Sequence, residues 1–235
     1  MTPSPTPLTI LVGTHETIPS NLIDAHIRFA RHDLMSSRRL MIVDRGGLAE
    51  RHIDKRIDLM IDPKRGNWDI CTDSAQDDDA FAIVASMLGR AGPPRQRKLA
   101  TKLLMNSIRT VSSCEGTGLD PLRHACCAFD QEQVAASILD CDRADDTTSD
   151  IWPVLAILHA AGAYLRPHDR QLAPTSINRW YAEPAGRILF VQDPEDDAAI
   201  VDVLGAILEL AERRASGYQA VLDYGRAVLE TEFAA

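Results

Sequence analysis

The chain has 235 residues, of which 45% are hydrophobic and 25% charged, and this composition is typical of a globular protein with room for a large core. No apolar run reaches the roughly 20 residues needed to cross a bilayer, and the opening MTPSPTP lacks the basic and apolar segments of a signal peptide. The net charge of −9 disfavours general attraction to nucleic acid unless basic residues cluster locally. We therefore expect a cytoplasmic protein.

The cysteines indicate reduced thiols rather than a metal centre. There are five of them, and none has the paired C-x-x-C spacing of a metal site. His124 lies close to Cys126 and Cys127, but adjacent cysteines point to different sides of a helix and make poor joint ligands. The sequence therefore predicts no metal site.

The first predicted element is a strand over residues 8–12, and it leads into GTHETIPS. Set beside the phosphate-binding pattern G-x-x-x-x-G-K-[ST], Gly13 and Ser20 fall in register, whereas Ile18 replaces the second glycine and Pro19 replaces the lysine. Proline has neither an amide hydrogen nor a charge to offer a phosphate. This stretch is either an ordinary strand–turn–helix junction or a phosphate loop without its chemistry. His15 and Glu16 within it are expected to be solvent-exposed loop residues rather than a titratable pair.

Strands and helices alternate along most of the chain. Strands are predicted at residues 40–43, 57–61, 187–191 and 218–222, and helices at residues 21–35, 48–52, 80–88, 198–214 and 225–233. The short, wholly apolar strand runs are typical of parallel strands buried on both faces. The alternation therefore predicts an α/β parallel sheet with right-handed crossovers.

The middle of the chain contains no strand signal. Helices are predicted there at residues 97–111, 121–129, 131–139 and 149–165. We expect a discontinuous α/β domain formed by residues 1–94 and 166–235, interrupted by an all-helical insert at residues 95–165. Trp68, Trp152 and Trp180 are predicted to anchor the core at the starts of their elements.

Several weak motifs occur in one order along the chain. DRGGL begins at Asp44, DPKRGNWD at Asp62 and SINRW at Ser176, and a later strand ends in YQAVLDYG. This order resembles the cytoplasmic ATPase domain of type IV secretion and conjugative coupling proteins (TraD-like). The resemblance implies a RecA-like, P-loop NTPase-type parallel sheet with an inserted all-helical domain.

The departures from that family concern its nucleotide chemistry. The phosphate-binding lysine of the family is Pro19 here, and its water-activating glutamate is Tyr224. Phosphoryl transfer depends on neutralising and positioning the phosphates, so the resemblance implies a degenerate and shortened member with no catalytic residue. ATP and Mg²⁺ are not expected as cofactors. The resemblance implies vestigial nucleotide-binding positions at Gly13, Thr14, Ser20, Asp44 and Asp223.

The first functional hypothesis is a catalytically inactive subunit of a type IV secretion or conjugative DNA-transfer system. Such a subunit would act by contacting a coupling ATPase or another component, from the cytoplasm at the periphery of an inner-membrane complex. A second hypothesis is an ATP-dependent DNA-translocating protein that uses Arg45, Lys64 or Arg187 in place of the missing lysine. A decayed fragment without function is a further alternative.

A third hypothesis is DNA binding without hydrolysis. The one dense basic region lies at the start of the helical insert, which in the coupling proteins faces the DNA entrance. Because the chain is acidic as a whole, a solvated helix face is favoured over a DNA site. The residues concerned are Arg95, Arg97, Lys98, Lys102 and Arg109.

Overall fold

The structure is a computed structural model. It describes residues 8–32, 39–111, 117–141, 148–183, 187–194, 201–215 and 218–223. Within these ranges, side chains are described except at residues 109–111, 137–141, 148 and 218–223. The predicted helix at residues 225–233 lies outside the described residues.

The described strands form one parallel sheet with the order β3-β4-β2-β1-β5. Its members are β1 (Leu8–Thr14), β2 (Arg39–Gly46), β3 (Leu59–Ile61), β4 (Leu189–Gln192) and β5 (Tyr218–Asp223). Strands β1 and β2 are buried along nearly their whole length, as continuous apolar runs covered on both faces require. The predicted parallel α/β sheet is therefore confirmed.

Helices connect these strands along the chain. In chain order they are α1 (Ser20–His32), α2 (Leu48–His52), α3 (Ile70–Asp73), α4 (Asp77–Met87), α5 (Pro94–Val111), α6 (Asp120–Ala128), α7 (Gln131–Cys141), α8 (Thr148–Tyr164), α9 (Ile177–Ala182) and α10 (Val203–Arg214). The apolar stripe of α1, with Ile23, Ile27 and Ala30, packs in one cluster with Leu11 and Ile42 of the central strands.

Helices α5 to α8 follow one another without an intervening strand among the described residues, as predicted for the insert. Helix α8 packs against α5, α6 and α7. Gly162 makes the crossing of α6 and α8 close, because a Cβ atom at this position would lie 2.6 Å from Cys127 Sγ and 3.0 Å from Cys126 Cβ. The limits 95–165 of the insert stay a prediction.

The chain divides into two compact units. The first contains residues 1–62, 177–195 and 211–235, and the second contains residues 63–176 and 196–210. The first unit therefore holds the sheet, and the second holds the helices from α3 to α8.

Two predictions about individual elements need correction. Residues 201 and 202 precede α10, and the Asp202 carboxylate accepts a hydrogen bond of 2.6 Å from the Gly205 amide, so α10 begins at Val203. Trp152 is 63% exposed and does not anchor the core, whereas Trp68 and Trp180 are fully buried as predicted. Among the described residues, no helix is both long and apolar enough to cross a membrane.

Candidate functional site

Four of the predicted nucleotide-binding positions, Gly13, Thr14, Asp44 and Asp223, lie at the carboxyl ends of neighbouring parallel strands. Gly13 is paired in register with Asp44 across β1 and β2, and Val12 is paired with Asp223 across β1 and β5. This edge of an open α/β sheet is the usual location of a ligand site. The side chain of Asp223 and the whole of Tyr224 lie outside the described residues, so their predicted roles stay predictions.

The backbone amides of the loop after β1 donate hydrogen bonds to acceptors within the chain. The Thr14 amide donates to Thr17 Oγ1 at 2.8 Å, and the Glu16 amide donates to Thr14 Oγ1 at 3.2 Å. The amides of Thr17 and Ile18 donate to the Thr14 carbonyl at 3.2 and 3.0 Å. The His15 amide donates to the Gly46 carbonyl at 3.0 Å. Every amide from residue 14 to residue 18 therefore has a partner within the chain.

Side chains fill the space above Gly13. A Cβ atom at Gly13 would lie 2.8 Å from both Ile18 Cγ1 and Thr17 Oγ1. Ile18 is 1% exposed and belongs to the core cluster that contains Leu11 and Ile23. Ser20, the first residue of α1, is exposed. The loop therefore closes onto Gly13 with apolar and hydroxyl groups, in the place where the phosphate pattern requires an open cradle.

His15 lies against the adjacent glycine turn. Its Nδ1 is 3.0 Å from the Gly46 carbonyl oxygen, which makes Nδ1 the protonated nitrogen of this contact. Gly47 has φ +77°, and a Cβ atom there would lie 2.8 Å from His15 Nδ1. Glu16, in contrast, is exposed as predicted. His15 is half-buried, so the prediction that it is a solvent-exposed loop residue is wrong.

Asp44 binds the beginning of α2. Its Oδ1 accepts hydrogen bonds from the amides of Gly46 at 2.8 Å and Leu48 at 3.0 Å, and its Oδ2 accepts one from the Ala49 amide at 2.8 Å. The side chain is buried, with the residue 2% exposed. A carboxylate at a helix N-terminus satisfies amides that have no partner within the helix and is favoured by the helix dipole. Asp44 therefore supplies an internal anion to this turn.

The predicted basic cluster lies on α5, and two of its arginines are engaged within the chain. Arg95 Nε is 3.0 Å from Asp150 Oδ2, and the Arg97 guanidinium donates to the Gly89 carbonyl. Lys98 and Lys102 are exposed, and they enter no ion pair within the described part of the chain. The side chain of Arg109 lies outside the described residues. The structure thus leaves two exposed lysines one helical turn apart.

The proposed substitutes for the missing lysine are engaged elsewhere or distant in sequence from the loop. Arg45 Nε donates to Asp193 Oδ2 at 3.1 Å, and Arg187 Nη1 lies 2.7 Å from Glu183 Oε2. Lys64 is exposed in the short 3-10 turn after β3.

A buried carboxylate joins two of the motifs. Asp73 accepts a hydrogen bond of 2.7 Å from Trp68 Nε1 and one of 2.6 Å from Ser176 Oγ, a residue 103 positions later. The backbone adds a short parallel ladder, in which the Thr175 amide donates to the Asn67 carbonyl at 2.8 Å and the Asp69 amide donates to the Thr175 carbonyl at 2.9 Å. The DPKRGNWD and SINRW motifs therefore meet. Sequence reasoning did not single out Asp73, because no local pattern marks its distant partner.

The second tryptophan motif packs around a buried arginine. Arg39 donates to the Tyr181 carbonyl at 2.9 Å, and its guanidinium carbon is 5.7 Å from the centre of the Trp180 ring. Trp180 Nε1 donates to the Arg187 carbonyl at 2.9 Å. Burial lowers the pKa of the Arg39 guanidinium, an effect that Tyr181 and Glu183 oppose. These contacts give the SINRW motif a packing role at the beginning of β4.

Two of the described thiols, Cys126 and Cys127, are free. Cys126 is buried and Cys127 exposed, although they are neighbours on α6. Burial raises the pKa of the Cys126 thiol to about 12. Within the described ranges, no group of three or more His, Cys, Asp or Glu residues is arranged to hold a metal ion.

The strand order, the loop and helix after the first strand, and the helical block before β4 define a RecA-like, P-loop NTPase-type fold. Three solved structures with this fold cover 88% of the chain at a TM-score of 0.58. They are the bacterial conjugative coupling protein TrwBdeltaN70 with sulphate, at 16% identity, and the plasmid coupling protein TrwB with the GTP analogue GDPNP, at 17%, or with ADP and Mg²⁺, at 16%.

These comparisons confirm the predicted fold class and the resemblance in fold to the coupling proteins. The chain spans about half the length of the solved structures it matches, 52% in each of these three cases. No protein-family model and no curated protein sequence matches it. The likeness is therefore one of fold.

Proposed function

We propose that this chain is a catalytically inactive, coupling-protein-like subunit of a type IV secretion or conjugative DNA-transfer system. In this proposal it works through protein–protein contacts with a coupling ATPase or another component, in the cytoplasm beside the membrane complex. The fold shared with TrwB supports the choice of system. The loop after β1 supports the absence of catalysis.

The internal hydrogen bonds of that loop carry the proposal. A phosphate site needs amide hydrogens aimed at the anion and a cation that reaches its outer oxygens. The amides of residues 14–18 donate within the chain, and Ile18 and Pro19 stand where the pattern has glycine and lysine. A nucleotide phosphate does not fit this arrangement, since its entry would break these bonds and displace Ile18 from the core.

Calorimetric titration with ATP and Mg²⁺, combined with an assay of phosphate release, tests the absence of catalysis. We expect neither a binding heat nor turnover from the unmodified chain. A matched variant that restores the pattern, Ile18→Gly with Pro19→Lys, reports whether the rest of the fold can accept a nucleotide. Micromolar binding with turnover by the unmodified chain would refute the proposal.

The partner is tested separately. The tagged full chain is used to capture a coupling ATPase from cells that carry a conjugation or type IV secretion system. An excess of untagged chain should compete, and the captured ATPase should remain bound in the absence of nucleotide. If no component of such a system binds, the proposed pathway is wrong, whatever the nucleotide result.

The exposed pair Lys98 and Lys102 favours DNA binding as a second candidate function. If these lysines contact phosphates, affinity for a DNA duplex falls steeply as salt is raised, and Lys98→Ala with Lys102→Ala reduces the salt dependence by about two counterions. Arg95→Ala is the matched control, because Arg95 already pairs with Asp150. Absence of binding at low salt would eliminate this candidate.

A further inference from the structure

The two ends of the segment 63–176 are bonded to each other. The chain enters the second compact unit at the first residue of this segment, leaves it after the last, and returns to it over residues 196–210. Near the two ends, the Thr175 amide donates to the Asn67 carbonyl at 2.8 Å, and the Asp69 amide donates to the Thr175 carbonyl at 2.9 Å. The ends are therefore held together by hydrogen bonds that lie within the segment itself.

Gly66 is the centre of a second layer of contacts. Its carbonyl oxygen accepts a 2.9 Å hydrogen bond from the Leu119 amide and lies 3.3 Å from His168 Nδ1. Gly66 has φ +64°, and a Cβ atom there would lie 2.5 Å from the Arg166 carbonyl oxygen and 2.8 Å from backbone atoms of Pro167. Only a residue without a Cβ atom allows the backbone to approach so closely. The turn after β3, the beginning of α6 and the chain after α8 therefore meet at Gly66.

Polar side chains connect the same three stretches. Asp120 Oδ1 accepts a 3.0 Å hydrogen bond from the His168 amide. Arg65 Nε donates to Asp169 Oδ2 at 2.9 Å, and the Asp169 amide donates to the Arg65 carbonyl at 2.8 Å. We call the residues that make these two layers of contacts the clasp: 65–69, 118–120 and 166–176.

The first compact unit, which contains the sheet, is stabilised differently. Met41 of β2 pairs with Leu189 of β4, although the two residues are far apart in the chain. Pairing of this kind orders a long stretch of chain before the contact forms. Helices α5, α6 and α7, in contrast, lie in one segment with α8 and pack against it. The two units therefore contain separate sets of stabilising contacts, and those of the helical unit are more local.

We propose that the clasp is a conformational device that keeps residues 63–176 folded when the sheet opens. Because the clasp fixes both ends of the segment from within, the loss of strand pairing does not separate the helices. Residues 196–210 contact α4 through the Asp202 amide, which donates to the Met87 carbonyl at 2.8 Å, and they are not needed to close the segment. This inference goes beyond the proposed function and does not rest on it.

Native-state hydrogen exchange of the full chain over a urea series, read by mass spectrometry, tests the proposal. We expect the amides of β1 and β2 to lose protection at a lower urea concentration than those of α5 and α8. Gly66→Ala places a Cβ atom against the backbone in a left-handed conformation. It should therefore speed exchange in α5 and α8 about tenfold and leave β1 and β2 unchanged.

Gly47→Ala is the matched control. Gly47 also has positive φ, +77°, but it belongs to the first unit, and a Cβ atom there would lie 2.8 Å from His15 Nδ1. This variant should speed exchange in β1 and β2 and leave α5 and α8 unchanged. Circular dichroism reports whether each glycine variant is folded.

A milder pair of variants decides the matter if Gly66→Ala does not fold. Asp169→Ala removes the ion pair with Arg65 without backbone strain and should speed exchange in α5 and α8 about threefold. Asp193→Ala removes the ion pair with Arg45 in the first unit and should act on β1 and β2 instead.

Three results would each overturn the proposal. They are a common urea dependence for the strands and the helices, loss of protection in α5 and α8 before β1 and β2, and clasp variants that speed exchange equally in both units. Each of these results can be obtained without nucleotide and without a partner protein, so the proposal can fail while the proposed function stands.

Discussion

Removing the Asp44 carboxylate should destabilise the protein even though no nucleotide is present. Asp44→Ala deletes three hydrogen bonds to the amides of Gly46, Leu48 and Ala49. A hydrogen bond to a charged group contributes about 1.5–3 kcal/mol net, and loss of a helix cap costs about 0.5–2 kcal/mol. Water can reach the half-buried Gly46, so we expect the free energy of unfolding to fall by about 3 kcal/mol rather than by the sum.

Urea denaturation followed by tryptophan fluorescence measures this loss. Asp44→Asn should be intermediate, because its oxygen still accepts two bonds whereas its NH₂ group faces the Ala49 amide. Glu50→Ala is the matched control, since Glu50 is an exposed acid on the same helix and should change stability by less than about 0.5 kcal/mol. A loss below about 1 kcal/mol for Asp44→Ala would contradict the prediction that this carboxylate stabilises the turn that it binds.

Three further results are expected. Ser176→Ala should lower the free energy of unfolding by about 1–3 kcal/mol, because it leaves an oxygen of the buried Asp73 without its hydroxyl donor; an unchanged urea midpoint would contradict this. Gly162→Ala should cost about 1–3 kcal/mol through overpacking, and Cys127→Ala in the same chain should recover part of the loss; a neutral single variant would mean that the α6–α8 crossing is looser than described. Since burial raises the pKa of Cys126 to about 12, iodoacetamide at pH 8 should label Cys127 and spare Cys126 until urea is added; equal labelling rates, read by mass spectrometry, would disprove the burial of Cys126.

Sequence patterns predicted the strands where burial on both faces leaves a continuous apolar run. Strands β1 and β2 are such cases. Strand β3 is shorter than the predicted 57–61, because Ile57 is 38% exposed and the buried Asp58 carboxylate binds Arg31 at 2.6 Å. The order of the motifs predicted the fold class, because each motif marks the end of a strand or the beginning of a helix.

Sequence patterns did not predict contacts between residues that are distant in the chain. They also did not predict the buried side of a helix that has no hydrophobic periodicity. The burial of Asp73 follows from Trp68 and Ser176, which meet it only in the folded chain. Trp152 was expected to anchor the core at the start of its helix, but a helix that is apolar on all sides gives no signal for which side is covered. In the candidate site, the substitutions at Ile18 and Pro19 were readable in the sequence. The hydroxyls of Thr14 and Thr17 that satisfy the amides of the loop were not.

The short ladder between Trp68 and Thr175 brings two distant segments within the roughly 4.8 Å spacing of paired strands. This pairing closes the chain segment between Trp68 and Thr175 into one long loop. For a flexible chain, doubling the length of such a loop costs only about 0.6 kcal/mol of closure entropy. Insertions and deletions between these two residues therefore perturb the ladder little. The ladder itself therefore places little constraint on the length of the loops that join the helices between Trp68 and Thr175.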